Sequence, residues 1–106
     1  MPIAITQDNF KKEIEESVLP VVLDVYAIWC GPCQQMAPIV DELEKELHGK
    51  YKFAKLNVDE AREISIQFGV TSVPTFIFMK DKQVKGKETG YMSKEDLHDK
   101  IKELLG

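Results

Sequence analysis

Only two of the 106 residues are cysteine. That is too few for the disulfide framework of a small secreted protein, and too few for a four-thiolate zinc site. Basic residues are also in deficit: fourteen Lys and Arg against eighteen Asp and Glu leave a formal charge of −4. Such a chain does not neutralise phosphates on a large scale, which argues against nucleic acid as its partner. Long apolar runs are missing. The longest, residues 21–28, is broken by Asp24 and is far too short to cross a bilayer. The opening Met1-Pro2-Ile3-Ala4-Ile5-Thr6-Gln7-Asp8 has neither the basic region nor the apolar stretch and cleavage site of a signal peptide. These absences predict a cytoplasmic protein with no membrane association, in a compartment where a pair of cysteines is catalytic or metal-binding rather than structural. No internal repeat, low-complexity tract or Pro/Gly/Ser-rich linker divides the chain, so residues 1–106 read as a single domain.

What is present is a balanced globular composition, 43% hydrophobic and 30% charged. A chain of this length buries roughly 65% of its unfolded surface, enough for a core without staples. Ile3–Ile5 reads as a short strand. Thr6 or Asp8 then caps a helix carrying Phe10, Ile14 and Val18, stopped by Pro20. Val21–Tyr26 is a β-branched run with the pattern of a strand buried on both faces. Cys33, Met36, Val40, Leu43 and Leu47 recur at helical spacing up to Gly49, with Pro38 expected to remove one hydrogen bond and kink the helix. Tyr51–Val58 is the next strand, followed by a short helix over Glu60–Phe68 that Gly69 ends. Thr75–Met79 and Gln83–Lys87 flank a hairpin turn. Ser93-Lys94-Glu95-Asp96 opens a last helix with Leu97, Ile101, Leu104 and Leu105 on its inner face. The order predicts an α/β fold: a central mixed five-stranded sheet flanked by four helices on both faces.

Both cysteines fall in one tetrapeptide, Cys30-Gly31-Pro32-Cys33, between the strand and the long helix. A thiol at a helix start meets unpaired N–H groups and the positive end of the dipole, both of which favour thiolate, the nucleophile of disulfide exchange. Cys33 follows by about one helical turn, within reach of Cys30. Pro32 suits a first turn, where its missing N–H costs nothing, and Gly31 permits a tight approach. Three other readings compete. A structural disulfide over so short a loop stabilises little. A zinc site lacks ligands, because His48 and His98 do not have the spacing of a zinc finger. Two cysteines buried merely as small hydrophobes is the third. A Cys-x-x-Cys near a βαβ pattern favours redox chemistry over all of them.

The segment Asp24-Val25-Tyr26-Ala27-Ile28-Trp29-Cys30-Gly31-Pro32-Cys33 resembles the active-site segment of the thioredoxin family. Pro38, Ala54-Lys55-Leu56-Asn57-Val58-Asp59, Val73-Pro74-Thr75 and Gly90 follow in the family's order and spacing, over nearly the whole chain. The resemblance implies a thioredoxin fold and a protein-disulfide reductase and electron carrier; nothing in the sequence suggests more than a monomer. Thioredoxin reductase would recycle it, disulfide-containing proteins would be its targets, and no bound cofactor or metal would be needed. Cys30 is then the nucleophile, Cys33 the resolving thiol and Asp24 the proton acceptor.

Asp24 is the one charge in its strand, and burial would raise its pKa; a solvent-facing strand end is the alternative. The family places the counterpart of Lys55 near that carboxylate, although the sequence alone reads it as an ordinary strand lysine. Pro74 could simply open a strand. The resemblance instead implies a cis Val73–Pro74 bond beside the dithiol, with the Val73 backbone free to pair with a target and Gly90 as the opposite wall. Trp29, a core residue on the plainer reading, would stand beside Cys30 on the contact surface. Several positions depart from the family's frequent pattern: Tyr26, Ile28, Gln34, Tyr91 and the Asp81-Lys82 turn. They make the surface near the dithiol more apolar and less positive. Such a surface also suits a second reading, a binding module whose reduced form holds a partner without turnover.

Overall fold

The β-branched run after Pro20 forms the strand at the middle of the molecule, and the computed structural model describes residues 2–106 around it. Strands β1 (Ile3–Ala4), β2 (Val21–Tyr26), β3 (Lys52–Asn57), β4 (Thr75–Lys80) and β5 (Gln83–Thr89) make one sheet in the order β1-β3-β2-β4-β5. β3 pairs in parallel with β1 and β2, whereas β4 runs antiparallel to both β2 and β5. Helices α1 (Gly31–Glu46), α2 (Arg62–Gln67) and α3 (Lys94–Leu105) join a π-helical turn over Lys11–Glu15 to give the four expected helical segments. The predicted mixed sheet and its element order are therefore present.

Period-two alternation sorts the core into two layers. On one face Leu23, Val25, Ala54, Leu56 and Ile77 pack with Ile5, Phe10, Ile14 and Ile64. On the other Val22, Phe53, Phe76 and Phe78 meet Met36, Val40 and Leu43 of α1 and Leu97, Ile101 and Leu105 of α3. Asp24 shares its side of β2 with Val22, so the alternation that buries the strand also turns a carboxylate towards α1. That helix continues through Pro38 to Glu46.

The first helical segment departs from expectation in its second half only. Thr6 closes a capping box at its start: Thr6 Oγ1 accepts the Asp8 N–H at 3.2 Å, Asn9 Oδ1 accepts the Thr6 N–H at 2.7 Å, and the Phe10 N–H donates to the Thr6 carbonyl at 3.0 Å. The π-helical segment that follows Phe10 has no side-chain cap of its own. Its widened turn closes with the Glu16 N–H on the Lys11 carbonyl at 2.9 Å, an i→i+5 bond that uses up the helix before residue 18. Val18 accordingly leaves the apolar stripe of Phe10 and Ile14 and is 98% exposed. The last helix follows the sequence closely, with Ser93 Oγ accepting the Asp96 N–H at 3.1 Å.

Candidate active site

The turn from β2 into α1 is the place where a buried strand delivers its chain to a helix start. Cys30 is the N-cap of α1, with extended backbone, and Pro32 occupies the first turn. The Cys33 N–H donates to Cys30 Sγ at 3.2 Å, so one of the helix's unpaired donors is spent on that sulfur. Cys30 and Cys33 are joined as a disulfide, with Cα atoms 5.2 Å apart. Both residues are buried, packed with Ala27 and against Tyr26, Val58 and Val73. Among the described residues no three His, Cys, Asp or Glu side chains gather as a metal site. A Cβ at Gly31 would meet nothing within 4 Å, so the position leaves open space in the turn between the two cysteines.

Three segments surround the dithiol. The Val73–Pro74 peptide bond is cis, and the Val73 carbonyl oxygen lies 3.7 Å from Cys30 Sγ. The Gly90 N–H donates to the Pro74 carbonyl at 2.9 Å, holding the end of β5 beside that loop. Gly90 has a φ of 102°, a backbone that L side chains rarely adopt. Trp29 is 69% exposed rather than a core residue, and its indole Nε1–H donates to Asp59 Oδ2 at 2.9 Å. Ile28 at 68% and Tyr91 at 55% are exposed too. Gln34 turns its Nε2 back to the Ile28 carbonyl at 2.8 Å.

Beneath the disulfide lies the carboxylate. Asp24 is 7% exposed, and its Oδ1 has no hydrogen-bond partner among the described residues. Burial pushes its pKa up to about 7, opposed by the charge of Lys55, which faces it in the β2–β3 pairing. Asp24, Cys33, Tyr26 and Lys55 all reach one cleft of about 120 Å³, large enough to admit water. The solvent-facing alternative for Asp24 is thus set aside, and the strand lysine is a neighbour of the site.

Sequence reasoning missed the second wall. A larger cleft, about 600 Å³, is lined by Trp29, Val58, Asp59, Arg62, Ile66 and Val73. Ile66, 62% exposed beside the buried Ile64, was the only signal available: an apolar residue on the wrong face of a short helix. No helix among the described residues is long and apolar enough to cross a membrane.

The comparisons with known proteins agree with this geometry. The thioredoxin family model matches residues 1–103. The chain is 43% identical over 101 residues to a thioredoxin of Rickettsia felis, covering 95% of this chain and 96% of that one. It is 41% identical over 93 residues to a thioredoxin of Haemophilus influenzae, covering 88% and 87%. It is also 41% identical over 101 residues to the chloroplastic M-type thioredoxin of Spinacia oleracea, covering 95% of this chain and 56% of the relative. With its Cys30–Cys33 pair bonded across the start of α1, the chain belongs to the thioredoxin family, oxidoreductases that act by dithiol–disulfide exchange.

Proposed function

We propose that residues 1–106 work as a single, monomeric domain in the cytoplasm, reducing disulfides in target proteins with Cys30 as nucleophile and Cys33 as resolving thiol. The observation that carries the assignment of roles is the N-cap: Cys30 Sγ receives the Cys33 N–H at 3.2 Å and sits at the positive end of α1. In the reduced protein the same donor would stabilise a Cys30 thiolate. That thiolate attacks one sulfur of a target disulfide; a Cys30–target S–S bond forms and the target's other sulfur leaves as a thiolate that takes up a proton. Cys33 then gives its proton to Asp24 and attacks Cys30 Sγ. The Cys30–Cys33 bond forms, the mixed disulfide breaks, and the target's second sulfur leaves reduced. Two electrons have passed from the dithiol to the target.

Asp24 suits the acceptor role because a carboxylate that ionises near pH 7 accepts a proton at neutrality without holding it too tightly. Lys55 moderates that pKa. Gly31 and Pro32 shape the turn, while the Val73 backbone, Pro74 and Gly90 receive an extended target segment beside Trp29. Thioredoxin reductase restores the dithiol by supplying two electrons, and the exchange draws on no cofactor held by the chain. An insulin-reduction assay with dithiothreitol or a reductase as donor tests this reading. Wild type should turn over repeatedly and the Cys30→Ser/Cys33→Ser double variant should be inert. Equal rates for the two proteins would refute the function, and a reduction potential well above the glutathione pool would refute its direction.

A further inference from the structure

Arg62 is the only arginine in the chain, and it lines a cleft of about 600 Å³ whose walls also include Trp29 and Val73, the neighbours of Cys30. Val73, whose carbonyl oxygen is 3.7 Å from Cys30 Sγ, lines this cleft together with Arg62 and Ile66 of α2. A target segment attacked by Cys30 and laid against Val73 therefore has the α2 wall within reach of the residues that flank its cysteine.

Lys11, Lys52, Lys94 and Lys100 each hold a carboxylate, whereas Arg62, like the remaining lysines, has no ion pair among the described residues, and its exposed guanidinium is open to a partner. Of the acids nearest in sequence, Asp59 lines the same cleft and is held at 2.9 Å by the neutral Trp29 indole, which leaves its charge in place. Glu63 accepts from Gln7 Nε2 at 3.1 Å, and neither it nor Glu60 lines the cleft. Among the described residues the guanidinium is the only cation lining the cleft, set against the single carboxylate of Asp59, on a chain whose net charge of −4 would otherwise disfavour acidic targets. Its planar fork matches a carboxylate in a way that a lysine does not.

We propose that Arg62 is a specificity-determining residue: it receives an aspartate or glutamate side chain from the target segment flanking the attacked cysteine, with Ile66 and Val70 taking an apolar neighbour. This rests on the disulfide-reductase reading above. The pairing is solvent-accessible, so it selects among targets by a modest factor and weakens with salt.

The test uses the full chain, kept reduced with dithiothreitol. The substrates are peptides joined by one disulfide to a reporter thiol, identical except for Glu, Gln or Lys at successive positions on either side of the cysteine. Wild type should reduce the Glu peptide about 2- to 5-fold faster than the Lys peptide at one position, above the ratio found at the others. That excess should collapse at about 0.5 M salt. Arg62→Gln should bring the ratio at that position level with the rest, and Arg62→Glu should invert it. Each ratio is taken on one protein preparation, so a uniform loss of activity in a variant cancels. A wild-type ratio that is the same at every position, or a preference that survives in Arg62→Glu, overturns the role of Arg62 and leaves the reductase intact. Failure of wild type to reduce any of the peptides would instead bring down the reductase reading, and this proposal with it.

Discussion

Asp24 and Lys55 stand opposite each other where β2 and β3 pair in parallel, yet they do not close into an ion pair, and Asp24 Oδ1 is without a partner among the described residues. Burial outweighs the distant cation, and the carboxyl ionises near pH 7. In the unfolded chain it ionises near pH 4. Between those values the folded protein holds a proton that the unfolded protein has lost. Stability therefore falls as pH rises through this window, and the penalty is fully present above about pH 7. Asp24→Asn should match wild type near pH 4 and exceed it at about pH 8 by up to about 4 kcal/mol. Urea denaturation at the two pH values measures the difference; a constant offset between the proteins would mean that the carboxyl does not titrate in this range.

The dithiol assignment makes a kinetic prediction. Cys33→Ser should still attack through Cys30 but should stop at the mixed disulfide, giving one covalent adduct per chain on a non-reducing gel. Cys30→Ser should give no adduct. Asp24→Asn, with both thiols present, should form the adduct at close to the normal rate and release it about 100-fold more slowly at pH 7, the loss of a general base. Multiple turnover by Cys33→Ser at the wild-type rate would rule out its resolving role.

Much of this architecture can be read from local pattern. Val21–Tyr26 is apolar on both faces and becomes the central strand, and the Cys33, Met36, Val40 and Leu43 stripe is the buried face of α1. What fails is whatever depends on contacts distant in sequence or on a turn of unusual pitch. Val18 fits a helical period with Ile14, but an i→i+5 turn ends the helix first. Asp59 and Trp29 are thirty residues apart, and nothing local announces that one will bond the other. Arg62 and Ile66 read as the outer face of a short helix. Only the fold, which brings residues 70–73 and Trp29 to line one cleft with that face, turns it into a wall. Asp24 was half legible: its isolation among apolar residues signalled burial, while its unpartnered oxygen required the structure.

The bond between Trp29 Nε1 and Asp59 Oδ2 fixes an exposed indole in one orientation beside the disulfide. Asp59→Ala should release it at a stability cost of about 1 kcal/mol or less, typical of an exposed hydrogen bond. Trp29 is the only tryptophan, so its fluorescence anisotropy reports the change directly and should fall. A freer ring also has more entropy to lose when a target docks, so KM for peptide disulfides should rise by roughly 2- to 5-fold. Unchanged anisotropy would show that packing, not this bond, orients the indole.

The hairpin between β4 and β5 provides a stability prediction remote from the chemistry. Lys80 pairs with Gln83, leaving Asp81 and Lys82 as a two-residue loop with φ of 54° and 66°. Positive φ at both positions is the type I′ geometry, normally filled by Asn-Gly, because left-handed backbone crowds the Cβ of any L residue. Aspartate tolerates that backbone better than lysine does. Lys82→Gly should therefore relieve the steric cost at the second position, minus the entropy that glycine loses on folding. The net gain should be about 1 kcal/mol, or roughly 4–8 °C in Tm for a chain of this size. Urea denaturation should show a higher midpoint at unchanged slope, with disulfide reduction unaltered. A midpoint equal to or below that of wild type would mean that the Lys82 side chain contributes contacts that outweigh its backbone strain.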